Sequence, residues 1–130
     1  MHLTRPGKSL RTLIVEDEEN DAFLLIDSLQ QGGYHLEWQR VDSENGMARA
    51  LEQSWDIVLS DYSMPGFSGT RALAMLRAQQ TDTPFIFVSA TIGEDAAVAA
   101  IKAGAQDYVM KGNIKRLLPT IERELREARM

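Results

Sequence analysis

The sequence predicts an α/β fold, a parallel sheet wound on both faces by helices, and three observations predict it. Short apolar runs alternate along the chain with longer segments of helical period. Most of those runs are continuously apolar, as strands buried on both faces require. Glycines and serines punctuate the pattern where helices or strands stop and where N-caps belong.

Each element follows in order. Residues Met1 to Ser9 are polar, contain Pro6-Gly7 and show no period, so they read as an arm, with the domain spanning 10–130. Thr12-Leu13-Ile14-Val15 is the first strand. Ala22 to Gln31 is the first helix, with Phe23, Ile26 and Leu29 on its apolar face and Gly32-Gly33 ending it. Leu36 to Val41 alternates in part and makes a second strand. Ser43 caps a helix over Met47 to Gln53, and Ile57-Val58-Leu59 is the third strand. Ser68 caps the next helix, Thr70 to Gln79, which aligns Leu73 and Leu76. Pro84 to Val88 is the fourth strand, Ala96 to Ala103 a helix closed by Gly104, and Tyr108-Val109-Met110 the fifth strand. After Gly112, the segment Ile114 to Ala128 carries Leu117, Leu118, Ile121 and Leu125 on one stripe. Five strands alternating with five helices make a doubly wound (βα)5 sandwich. Right-handed crossovers then favour the flavodoxin-like strand order 2-1-3-4-5.

Composition narrows the function. At 130 residues, 44% hydrophobic and 25% charged, the chain suits one globular domain. It has no Cys, which excludes a disulfide framework, a thiolate zinc site and a cysteine nucleophile. A net charge of -5 argues against direct nucleic-acid binding by charge. No apolar run approaches the roughly 18 residues of a membrane span, and no signal-peptide core follows Lys8. The expectation is a cytoplasmic domain with no membrane contact. His2 lies in the arm and His35 opens a strand, so neither joins a site; Trp38 and Trp55 read as packing residues.

In an open parallel sheet, ligands bind at the carboxyl ends of the strands near the switch in strand order. Beyond the first strand come Glu16, Asp17, Glu18 and Glu19; beyond the third, Asp61; at the end of the fourth, Ser89, Ala90 and Thr91; beyond the fifth, Lys111. An acidic run is usually a solvated helix start, Asp61 alone reads as a turn cap, and a lysine at a strand end is usually surface. Their convergence on one edge changes that balance. Glu16, Asp17 and Asp61 form a cluster that repels itself unless something positive sits in it, and hard oxygen ligands suit Mg²⁺. Lys111 supplies a point charge and Ser89 a hydroxyl donor to a phosphoryl oxygen. Asp61 then reads as a nucleophile that forms an aspartyl phosphate. Ala90 leaves the site open to a donor or to water.

Four blocks resemble the receiver domain of response regulators, the CheY-like domain of two-component phosphorelays. They are Leu13-Ile14-Val15-Glu16-Asp17-Glu18; Asp56 to Gly69, which ends Asp61-Tyr62-Ser63-Met64-Pro65-Gly66-Phe67-Ser68-Gly69; Pro84 to Thr91; and Ala103 to Lys111. The resemblance covers Leu10 to about Ala128. It implies that Asp61 is the phosphoacceptor, and that Glu16, Asp17, Asp61 and the backbone carbonyl of Ser63 hold Mg²⁺. It further implies that Ser89 and Lys111 contact the phosphoryl group, and that Tyr108 changes rotamer when Ser89 moves. The implied partner is a histidine kinase or phosphotransfer protein. The face of the fourth helix, fifth strand and fifth helix would switch partners or form a homodimer. Such a domain catalyses only its own phosphorylation and dephosphorylation, and at 130 residues the chain has no room for an output domain beside it.

Two positions depart from the pattern. Glu16 stands where the family more often has Asp, and Gly112 where proline usually follows the lysine, so a trans Lys111-Gly112 bond or an altered loop is expected. The run from Lys111-Gly112-Asn113 to Leu117-Leu118-Pro119 resembles receivers attached to sensory and hybrid histidine kinases. The alternative is a Mg²⁺-dependent phosphatase or phosphotransferase working through an aspartyl phosphate. Such enzymes commonly place a second acid two residues after the nucleophile, where this chain has Ser63. A nucleotide-binding domain is disfavoured, because carboxylates rather than a glycine-rich loop follow the first strand.

Overall fold

The computed structural model describes residues 8–90 and 93–128. Five parallel strands form one sheet in the order 2-1-3-4-5: β1 (Lys8–Val15), β2 (Tyr34–Val41), β3 (Ile57–Ser60), β4 (Phe85–Ser89) and β5 (Asp107–Met110). Between and after them run α1 (Glu19–Gln31), α2 (Glu44–Ala50), α3 (Gly69–Arg77), α4 (Glu94–Lys102) and α5 (Leu117–Ala128). The architecture is the doubly wound one that the sequence predicts. Among the described residues no helix is long and apolar enough to cross a membrane.

Strand alternation divides the core in two. Leu13 and Val15 of β1, Val58 of β3, and Phe85 and Phe87 of β4 face one way, onto Met47, Leu73, Leu76 and Ala100. Leu10, Ile14, Ile57, Leu59, Ile86 and Val88 face the other way, onto Leu25, Leu29, Leu117 and Ile121. Thus α2, α3 and α4 cover one face, and α1 and α5 the other. Central strands buried on both faces are why their runs read as unbroken apolar stretches. Ser43 and Ser68 are N-caps, accepting from the N–H of Gly46 at 3.0 Å and of Arg71 at 3.1 Å.

Several boundaries and faces differ from expectation. Lys8 and Ser9 belong to β1 rather than to the arm, because they pair with Tyr34 and His35 and the Lys8 N–H donates to the Gly33 carbonyl. The rest of the arm, Met1 to Gly7, lies outside the described residues, as does Thr91 after β4. Phe23 is not a core residue: it is 50% exposed, and Ala22, Leu25, Ile26 and Leu29 make the buried stripe of α1. Trp38, also read as packing, is 43% exposed on β2, an edge strand, and meets the edge of Phe23 at 6.5 Å. Trp55 does pack against the core and donates its indole N–H to the Ala50 carbonyl. The last helix begins at Leu117, not Ile114; Lys111–Arg116 is a 3-10 turn broken at Asn113, whose φ of -127° and ψ of 52° are not helical. Pro119 lies in the first turn of α5, where no backbone donor is required.

Candidate functional site

Register brings the site together. Val15 pairs with Ser60, and Ser60 with Phe87, so Glu16 and Asp61 leave the sheet side by side. The Asp61 N–H donates to the Val15 carbonyl at 2.9 Å, and the Glu16 N–H to the Val41 carbonyl at 3.0 Å. Ser89 pairs with Met110, which delivers Lys111 to the same edge just beyond β5. The peptide bond between Lys111 and Gly112 is trans.

The loop after Asp61 depends on two glycines. Gly66 has φ of +79°, a left-handed conformation that side chains resist and glycine adopts readily. A Cβ at Gly69 would run into the Asp61 backbone carbonyl and lie 2.7 Å from the Phe87 ring. Only glycine lets the start of α3 come this close. The Ser60 hydroxyl donates to the same Asp61 carbonyl at 2.8 Å, so the backbone beneath the carboxylate is held from both sides.

Above it the side chains converge. One oxygen each from Glu16, Asp17 and Asp61 lie within 4.8 Å of one another. The Ser89 hydroxyl donates to Asp61 Oδ1 at 3.0 Å. Lys111 Nζ donates to Asp21 Oδ2 at 2.7 Å and Glu16 Oε2 at 2.8 Å, and stands 3.5 Å from Asp61 Oδ2. Glu16 is only 1% exposed, and Lys111 15%. Burial pushes the Glu16 carboxyl above its ordinary value, against the opposing pull of Lys111 and of the Glu18 N–H; Asp61 adds to the rise. Burial works against the Lys111 ammonium too, but its bonds to Asp21 and Glu16 and the charges of Glu16 and Asp61 outweigh it and raise its pKa. An uncompensated charge buried this deeply is costly, so the lysine and the carboxylates hold one another in place.

The predicted residues Glu16, Asp17, Asp61, Ser89 and Lys111 therefore meet at one edge. Ser63 lies two residues beyond Asp61 on an exposed loop. Tyr108 is part-buried on β5, with the Arg116 guanidinium 5.9 Å from its ring. It lines an apolar groove with Ala97, Val98 and Ile101 of α4. One site residue was missed. Asp21 stands in the first turn of α1, four residues beyond Asp17, where an acid reads from sequence as a solvated helix start. The donor set of Glu16, Asp17 and Asp61, all hard oxygens of negative charge, fits a small divalent cation.

The fold and the carboxylate edge together define a class, the CheY-like signalling domains with an acidic pocket at the carboxyl end of the sheet. The chain belongs to the response regulator receiver domain family, whose profile matches residues 12–122. It is 33% identical over 117 residues to response regulator ArlR of Staphylococcus saprophyticus, covering 89% of this chain and 52% of the relative. It is 37% identical over 116 residues to the uncharacterized transcriptional regulatory protein YkoG of Bacillus subtilis, covering 88% of this chain and 50% of that one. The chain thus spans about half the length of these curated relatives. Among solved structures, it is similar to the receiver domain of a putative LuxO repressor protein from Vibrio parahaemolyticus, with a TM-score of 0.81, 26% identity and 93% of each chain covered. It is also similar to a CheY-like receiver domain protein from Methanospirillum hungatei, with a TM-score of 0.80, 26% identity, and 94% of this chain and 98% of that one covered.

Proposed function

We propose that Asp61 is a phosphoacceptor, charged by a phosphohistidine on a histidine kinase or phosphotransfer protein. The observation that carries this is the surroundings of one carboxylate. Asp61 has a hydroxyl donor at 3.0 Å, an ammonium at 3.5 Å and two further acids within metal-sharing distance. In the transfer, an Asp61 oxygen attacks phosphorus, an acyl O–P bond forms and the N–P bond of the donor breaks. The imidazole nitrogen leaves with the electron pair. Hydrolysis later returns the carboxylate and inorganic phosphate.

Glu16, Asp17, Asp61 and the Ser63 carbonyl would hold Mg²⁺, which neutralises charge on a transferring phosphoryl group. The chain's own groups do the rest. Lys111 brings a positive charge to a phosphoryl oxygen, and Ser89 transfers its hydrogen bond from Asp61 to another. The modification adds negative charge and acceptor oxygens at the sheet edge. The output is then a population shift that reaches Tyr108 and the α4–β5–α5 face, altering its partner or its self-association. The reading places the protein in the cytoplasm, where its phosphodonor acts.

The test is intact mass after incubation with Mg²⁺ and acetyl phosphate. One acid-stable, base-labile phosphoryl adduct is expected, and none on Asp61→Asn. Continuous release of phosphate without an adduct would instead favour an aspartyl-phosphate phosphatase.

A further inference from the structure

Lys111 is shared unequally. Its ammonium has three N–H donors and three carboxylate neighbours, and the two short bonds go to Asp21 and Glu16. Asp61, the group to be modified, is the distant one at 3.5 Å. Asp21 does not belong to the cluster of Glu16, Asp17 and Asp61 that suits a cation. It approaches the ammonium from the first turn of α1, is 35% exposed at its side chain, and pairs with this lysine at 2.7 Å.

We propose that Asp21 is a restraining residue for phosphorylation: it competes with the incoming phosphoryl group for Lys111 and so limits how much of that charge reaches Asp61. The inference rests on the phosphoacceptor reading above. A cation that draws on Glu16, Asp17 and Asp61 leaves Asp21 as the remaining short anchor of the lysine. A phosphoryl oxygen at Asp61 must then win a hydrogen bond from an ammonium already bound at 2.7 Å. Neutralising Asp21 weakens that bond and frees the ammonium to turn toward the phosphoryl oxygen.

The experiment measures the initial rate of adduct formation by intact mass, with Mg²⁺ and acetyl phosphate, on the whole chain. Asp21→Asn keeps the shape and loses the charge, and is expected to react roughly three- to tenfold faster than the unsubstituted protein, the range of one charge-assisted hydrogen bond partly exposed to solvent. Asp21→Glu keeps the charge and is expected to stay near the original rate. Because the effect runs through the lysine, adding Asp21→Asn to Lys111→Met is expected to give no gain over Lys111→Met alone. An unchanged or slower Asp21→Asn overturns the inference while leaving the phosphoacceptor reading intact. So does a gain that persists without the lysine, which would be a general effect of charge. No adduct on the unsubstituted protein overturns the phosphoacceptor reading, and this inference with it.

Discussion

Two cations anchor opposite ends of the sheet, and their partners differ in kind. At the amino end, the Arg77 guanidinium donates to the carbonyls of Thr83 and Gly104 at 2.9 and 2.8 Å and to Gln106 Oε1 at 2.8 Å. Gln106 Oε1 in turn accepts from the Phe85 N–H, tying the starts of β4 and β5 together. At the carboxyl end, Lys111 meets only carboxylates. Arg77 is a planar fork set into neutral acceptors, whereas Lys111 is a rotatable point charge among ionised ones. Burial accordingly pushes the Arg77 pKa down, while the carboxylates carry that of Lys111 up. The first arrangement offers no alternative pairing and acts as scaffold. The second can be repartitioned whenever a new anion or cation arrives, which is what a switchable site needs.

The sharpest way to break the comparison is to remove each cation. Arg77→Ala strands several part-buried acceptors, and chemical denaturation is expected to show a loss of about 3 kcal/mol. Its effect on Mg²⁺ binding at the far edge is expected to be small. Lys111→Met should reverse that pattern. Mg²⁺ no longer competes with an ammonium for Glu16 and Asp61, so calorimetric affinity is expected to tighten about fivefold, close to 1 kcal/mol. Adduct formation by the same variant is expected to slow. If Arg77→Ala and Lys111→Met shift Mg²⁺ affinity alike, the distinction fails.

A smaller effect comes from pH. The Glu16 carboxyl sits above the ordinary glutamate value of 4.5. Its protonated form is therefore favoured by the fold: that contribution to stability is fully present below 4.5 and is lost as pH rises through the folded value. Correspondingly, on acidification Glu16 takes up its proton before an ordinary glutamate would. Mg²⁺ affinity is expected to begin falling above pH 4.5 in titrations, with that early step missing in Glu16→Gln. Arg77→Ala should keep that early step, because the Arg77 side chain lies at the opposite end of the sheet.

Much of the site was legible because chain position alone delivers it. In a parallel sheet every strand ends at one edge, so acids after the first and third runs, a serine at the end of the fourth and a lysine after the fifth must meet there. The M-P-G-x-x-G turn was legible as a motif, but its reason was not: Gly69 is needed because the Asp61 carbonyl occupies the space of a Cβ. Phe23 and Trp38 misled because apolar character at helical or strand spacing does not distinguish a core face from an exposed edge of β2. Asp21 and Arg77 gave little signal, since a charged residue on a helix reads as solvated until its partner is seen.

What the sequence by itself determined was the order of elements, the strand topology and the identity of the groups at the carboxyl edge. Periodicity, punctuation and handed crossovers are local or nearly local properties. Tertiary structure decided how charge is divided among those groups. Lys111 lies 90 residues from Asp21 and 95 from Glu16, yet bonds to both more closely than to Asp61. Coulomb energy depends on tenths of an ångström and on burial, and neither is written in the spacing of residues along a chain.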